Sequence, residues 1–175
     1  MVAIKPHPDF MKAGKVAGKV LSFIEGEVKP GVTVLKICKL AEEKIMEFGA
    51  SGIAFPCNVS INNEAAHYTS SYGDTKVFPN KGLVKIDVGA HVNGYISDTA
   101  ITVDLDGSYE NYISAAKDAL EAAIETVRPG VRLGEIGQAI ERTIKKQGLK
   151  PIHQLSGHQL KPWTLHAGKN VPNVG

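Results

Sequence analysis

The sequence predicts a mixed α/β (α+β) fold built from two related halves, the second of them incomplete. Three observations lead there: an internal repeat, a helix–turn–helix pattern within each copy, and two β-rich runs joined through Asn-Gly. The repeat is ungapped. Val28-Lys29-Pro30-Gly31-Val32 returns as Val127-Arg128-Pro129-Gly130-Val131, 99 residues later. The same offset of 99 matches Ala17 with Ala116, Leu21 with Leu120, Ile37 with Ile136, Glu42 with Glu141, Ile45 with Ile144 and Gly49 with Gly148. A register held over that length marks a duplication and sets the expected halves at 1–107 and 108–175.

In the first copy a helix is expected over 10–28, followed by the Pro-Gly turn. Thr33 is the expected cap of the next helix, because its hydroxyl can accept from a free N–H of the first turn. Val34, Ile37, Cys38, Ala41, Ile45 and Phe48 then fall on one face at helical spacing, and Gly49 stops the helix. In the second copy Ser108 is the expected cap, and Ile113, Ala116, Leu120, Ala123 and Val127 form the expected apolar stripe. Leu133, Ile136, Ile140 and Ile144 repeat the pattern up to Gly148.

Strands are expected at Gly52–Ile61, with Pro56 marking an edge or an irregular entry, and at 83–89 and 95–103 around His91-Val92-Asn93-Gly94. The second copy shows one strand-like stretch, 152–168. By the offset, its hairpin would fall at about 182–202, past Gly175.

The hairpin carries two carboxylates, Asp87 and Asp98. A two-residue turn at Asn93-Gly94 places them on one face of the sheet as diagonal neighbours, about 7–8 Å apart at Cβ; a turn one residue earlier sets them opposite, at about 4.5–5.5 Å. Either spacing lets them share a cation. Like charges on one face repel, and the Ile, Val and Ala flanking both positions raise the cost by burial. A divalent ion removes both penalties. The bland alternative is two carboxylates facing water beside a turn.

Of six histidines, His7 and His91 read as loop residues and His153 as structural. His67, His158 and His166 gain meaning if the Asp pair holds metal, since a neutral imidazole is a natural third ligand. Mixed carboxylate and imidazole ligation suits Mn, Fe, Co or Zn. Cys38 and Cys57 make no CxxC pattern, which fits a reducing cytosol. The net charge of +2 with scattered Lys and Arg gives no nucleic-acid footprint, and no apolar run reaches membrane-spanning length. Met1-Val2-Ala3-Ile4-Lys5-Pro6 lacks the pattern of a secretion signal.

These segments resemble the methionine aminopeptidases, most closely the type II, archaeal-like enzymes. The resemblance rests on Ala54-Phe55-Pro56-Cys57-Asn58-Val59-Ser60-Ile61-Asn62-Asn63-Glu64-Ala65-Ala66-His67-Tyr68. It rests also on Lys85-Ile86-Asp87-Val88-Gly89 with Gly94-Tyr95-Ile96-Ser97-Asp98-Thr99-Ala100, and on Leu155-Ser156-Gly157-His158 with Leu165-His166-Ala167-Gly168. It implies the pita-bread fold and a two-metal site in a cytoplasmic enzyme that removes the N-terminal methionine of nascent peptides. It implies that Asp87, Asp98 and His158 are metal ligands, with Asp98 bridging both ions. It implies that His67 and His166 contact the substrate or its reacting amide, and that Phe55, Pro56 and Leu165 line the methionine pocket. The family pattern needs two further glutamates, which lie past residue 175. The chain by itself is therefore expected to be nearly inactive, with a complementary C-terminal fragment as a partner. The alternatives are a non-catalytic pita-bread binding protein and a proline-specific dipeptidase of the same fold.

Overall fold

The computed structural model describes residues 5–175, so the start of the Met1–Pro6 stretch lies outside the described residues. The chain divides into two compact units, Met1–Ser108 with Lys161–Leu165, and Tyr109–Leu160 with His166–Gly175.

The first unit is two helices on one face of an antiparallel sheet. Helix α1 (Pro8–Glu25) begins at Pro8, whose fixed φ suits a first helical turn, and the His7 ring accepts from the Asp9 N–H at 3.3 Å. His7 is thus a helix cap rather than a plain loop residue. Helix α2 (Val34–Glu47) is capped as expected: Lys36 N–H donates to Thr33 Oγ1 at 3.3 Å. The sheet runs in the order β1 (Gly52–Ile61), β2 (Leu83–Val92), β3 (Tyr95–Asp104). Pro56 sits within an irregularity of the edge strand, where register shifts fall between Ile53 and Phe55 and between Phe55 and Asn58. His91, expected in a loop, lies on β2, because the turn takes up only Asn93 and Gly94.

Strand β2 alternates except at Gly89, which the Phe55 ring covers. Val84, Ile86, Val88, Ala90 and Val92 are buried. The first four join the inward residues of α1 (Val16, Val20, Ile24) and α2 (Ile37, Ala41, Ile45) in one core. Helix α1 packs on β2 and β3, and α2 on β1. The hydroxyl of Ser97 fastens this layer, lying 3.0 Å from the Ala13 carbonyl and 3.2 Å from that of Ala90. Lys85, Asp87 and His91 point to the sheet face that no helix of this unit covers.

The second unit contains α3 (Glu110–Thr126), α4 (Leu133–Lys146) and a short antiparallel pair, β4 (Ser156–His158) and β5 (Asn170–Pro172). The duplication is visible in the backbone. α2 and α4 are both 14 residues long and begin 99 positions apart. Gly31 and Gly130 have φ of 79° and 86°, and Gly49 and Gly148 have φ of 93° and 73°.

Three expectations fail here. Ser108 does not cap α3: its hydroxyl donates to Asp106 Oδ2 at 2.7 Å, and Tyr109 occupies the cap position without a side-chain capping bond to the helix. The stripe of α3 is out of phase: its buried residues are Ala115, Ala119 and Ala123, on a helix that packs on α4, while Leu120 and Val127 are each 61% exposed. The stretch 152–168 is not a single strand, since Pro162-Trp163 makes a tight turn that breaks it into separate pieces.

Candidate metal centre

The hairpin places the two carboxylates. Val92 pairs with Tyr95, and Asn93 and Gly94 have φ of 50° and 85°, the paired left-handed conformation of a two-residue type I′ turn. The register then sets Asp87 opposite Ala100 and Asp98 opposite Gly89. The two aspartates are diagonal neighbours on the helix-free face, the first of the two arrangements open to the sequence.

Their electrostatics follow from that placement. The Asp87 carboxyl is pushed up to about 6, first by burial and then by the charge of Asp98, with which it also hydrogen-bonds; His67 and Lys85 pull in the other direction. Asp87 Oδ1 is buried with no hydrogen-bond partner among the described residues. A buried oxygen without a donor, next to a second carboxylate, is the donor set a divalent cation satisfies, so these residues fit a metal. The ammonium of Lys85 donates to the Ala65 carbonyl, and burial lowers its own proton affinity.

Phe55 is opposite Gly89, and its ring lies where a Cβ on Gly89 would be. The ring therefore covers the sheet beside Asp98, which is the cross-strand neighbour of Gly89 on the other side. Pro56, next to it, is exposed, and Asn58 is opposite Asp87.

His67 is exposed in the segment between β1 and β2 and has φ of 69°, a left-handed conformation uncommon for a residue with a Cβ. Asp74 holds this segment in shape. It accepts from the Lys76 N–H at 2.8 Å and from the Tyr68 and Ser70 hydroxyls, each at 2.7 Å. Those donors, the Lys76 N–H foremost, hold the Asp74 carboxyl below its ordinary range. Val59 N–H donates to the Tyr68 carbonyl at 2.7 Å, tying the residue after His67 to β1.

In the second unit the rings of His158, on β4, and His166 lie 4.3 Å apart at a tilt of 43°. The loop between them is closed by Ala167 N–H to the Gln159 carbonyl at 2.9 Å. Leu165 is half-buried and belongs to the Lys161–Leu165 segment of the first unit. His153 is exposed. Among the described residues no group of three or more His, Cys, Asp and Glu side chains forms a ready metal cluster. The structure thus brings together Asp87 with Asp98, and His158 with His166. Cys38 and Cys57 are buried free thiols, the first donating to the Cys57 carbonyl at 3.5 Å.

Sequence reasoning missed Gly89, Asp74 and Trp163. A lone glycine inside a strand signals close approach of another group, and that signal was available at Gly89. Asp74 and Trp163 act through contacts that no local pattern marks.

Residues 9–175 match the metallopeptidase family M24. The chain belongs to that family. Among curated M24 relatives, the methionine aminopeptidase of Methanothermobacter thermautotrophicus is 45% identical over 174 residues, covering 98% of this chain and 58% of its own length. That of Saccharolobus solfataricus is 48% identical over 162 residues, covering 93% and 54%. The crystal structure of the Thermotoga maritima methionine aminopeptidase superposes with a TM-score of 0.87 at 28% identity, covering 100% of this chain and 74% of that one. The fold is therefore the pita-bread fold of family M24, and the chain spans a little over half the length of the curated relatives it matches.

Proposed function

We propose that this chain supplies the N-terminal share of a dimetal aminopeptidase that removes the initiator methionine from nascent proteins. The observation that carries the reading is the diagonal Asp87–Asp98 pair on the helix-free face, with one buried carboxylate oxygen lacking a donor. Support comes from the M24 relatives, whose two curated examples above are methionine aminopeptidases. On this reading residues 1–107 form the metal-binding half and 108–175 begin the related one. The enzyme works in the cytoplasm.

Asp87, Asp98 and His158 would hold the ions, Mn, Fe, Co or Zn by donor type, with two ions in the complete site. Bound divalent ions supply an activated water and polarise the scissile carbonyl. The protein's own residues do the rest. Asp98 would be a ligand shared by the ions, and Asp87 would be a ligand to one of them. His67, fixed by the Asp74-braced segment, presents an imidazole N–H toward the charge that develops on the substrate carbonyl, and His166 contributes a second donor. Phe55, Pro56 and Leu165 enclose the methionine side chain and keep water from it.

The test is a chimera in which the remaining C-terminal segment of the Methanothermobacter relative is joined after Gly175. With added Mn or Co it should release methionine from Met-Ala-Ser. Asp98→Asn should abolish release, and the 175-residue chain without the added segment should be nearly inactive. Undiminished release by the Asp98→Asn chimera, or preference for Ala-Pro over Met-Ala-Ser, sinks the reading.

The exposed Leu120, Ile124 and Val127 on α3 favour a further partner. Leu21 and Val28, the offset matches of Leu120 and Val127, are buried in the core of the first unit, so we propose that a complementary C-terminal fragment covers α3 with a sheet of its own.

A further inference from the structure

We propose that Trp163 is a positioning residue: it clasps the turn of the carboxylate hairpin and thereby seats Leu165 beside the metal-binding face. The proposal rests on the reading above for what Leu165 does, but the clasp itself stands on separate observations.

The segment Lys161–Leu165 belongs to the first unit, although the residues on both sides of it belong to the second. It is bent into a closed two-residue turn. Thr164 N–H donates to the Lys161 carbonyl and Lys161 N–H to the Thr164 carbonyl, each at 3.0 Å. Pro162 and Trp163 fill the two central positions. Pro is well suited to the first, but Trp163 has φ of 60°, where turns ordinarily place glycine. A bulky residue holds that conformation only when its surroundings demand it.

The demand comes from the hairpin. Trp163 N–H donates to the Gly94 carbonyl at 2.8 Å. The indole occupies the space that a Cβ on Gly94 would need. Its centroid is 5.1 Å from that of His91. His91 alternates with Gly89 and Asp87 along β2, so its ring is on the carboxylate face of the sheet. The clasp therefore sits on that face at its turn end, with Leu165 two residues further along. Trp163 remains 73% exposed, so it contributes little buried area to the core. That is what a local clasp requires and what a core residue would not show.

The test uses the 175-residue chain and hydrogen exchange. Trp163→Gly keeps the left-handed backbone and removes the ring. Exchange at the amides of residues 163–165 should rise on the order of tenfold or more, with β2 and β3 unchanged, and Trp163→Phe should restore protection. Unchanged exchange at 163–165 overturns the proposal. Loss of protection throughout β2 and β3 also overturns it, because Trp163 would then be a structural plug. In the chimera, Trp163→Gly should raise KM for Met-Ala-Ser about tenfold with kcat within about twofold, and Phe should recover it. Equal loss in both constants overturns the positioning role. An inactive chimera with a normal exchange result instead rejects the aminopeptidase reading and leaves the clasp standing.

Discussion

The ring of Phe55 rests on Gly89 at a position any other residue would fill with its own side chain. Strand pairing enforces the contact, since the two residues are directly opposite across β1 and β2. Gly89→Val should destabilise the fold by about 1–3 kcal/mol through overpacking. The double variant Gly89→Val with Phe55→Ala should recover a substantial part of that loss. Urea unfolding of the four proteins in a mutant cycle checks it; strict additivity would show that the ring does not press on the strand.

Asp87 gives the first unit a pH dependence of unusual sign. Its folded carboxyl titrates at about 6, above the ordinary 3.8, so the folded state holds the proton more tightly than the unfolded state does. The stability it contributes is complete below about pH 4 and is lost as pH rises through about 6. Asp87→Asn should therefore stabilise the chain near pH 8 by on the order of 2 kcal/mol and change little near pH 4. Denaturant midpoints at the two pH values measure this. Added Mn should raise the wild-type midpoint at the higher pH and leave that of the variant unmoved.

Asp74 gathers three donors into one carboxylate and so braces the segment that carries His67. Asp74→Ala should leave the helices and sheet intact while opening this segment. Limited proteolysis should then cut between 62 and 82 faster than in the wild type, and far-UV circular dichroism should not change. Cutting at an unaltered rate would mean that the Lys76–Glu64 ion pair, at 2.6 Å, is sufficient by itself.

The apolar residues that α3 leaves outside should drive self-association. Leu120 and Ile124 on α3 and Val127 at its C-cap are each more than 60% exposed. Light scattering should show oligomers of the 175-residue chain that Leu120→Glu with Ile124→Glu disperses. A wild-type chain that is cleanly monomeric would count against a missing cover on that face.

What could be read from the sequence was local or periodic. The hairpin, and the shared face of Asp87 and Asp98, follow from Asn93-Gly94; of the two registers the sequence left open, the structure takes the one with the turn at Asn93-Gly94. The cap at Thr33 follows from its place before an apolar run. The second helix of each pair falls where the 99-residue offset puts it. What could not be read depended on competition or distance. Ser108 has the chemistry of a cap, but Asp106 takes its hydroxyl first. The stripe of α3 was assigned to Ile113, Ala116, Leu120, Ala123 and Val127, whereas the buried residues are Ala115, Ala119 and Ala123, so only Ala123 is shared. Asp87 and Asp98 were legible as a pair, but the buried oxygen without a donor emerges only once both faces of the sheet are built.

Apart from Gly89, on which Phe55 packs, strand β2 keeps its folding requirements on even positions and its outward groups on odd ones, and this separation has an evolutionary consequence. A lineage can exchange Lys85, Asp87 or His91 while Val84, Ile86 and Val88 stay in place, so abandoning one chemistry need not abandon the architecture. Descendants that lose their outward carboxylates would still be well-formed proteins, ready for recruitment to other work.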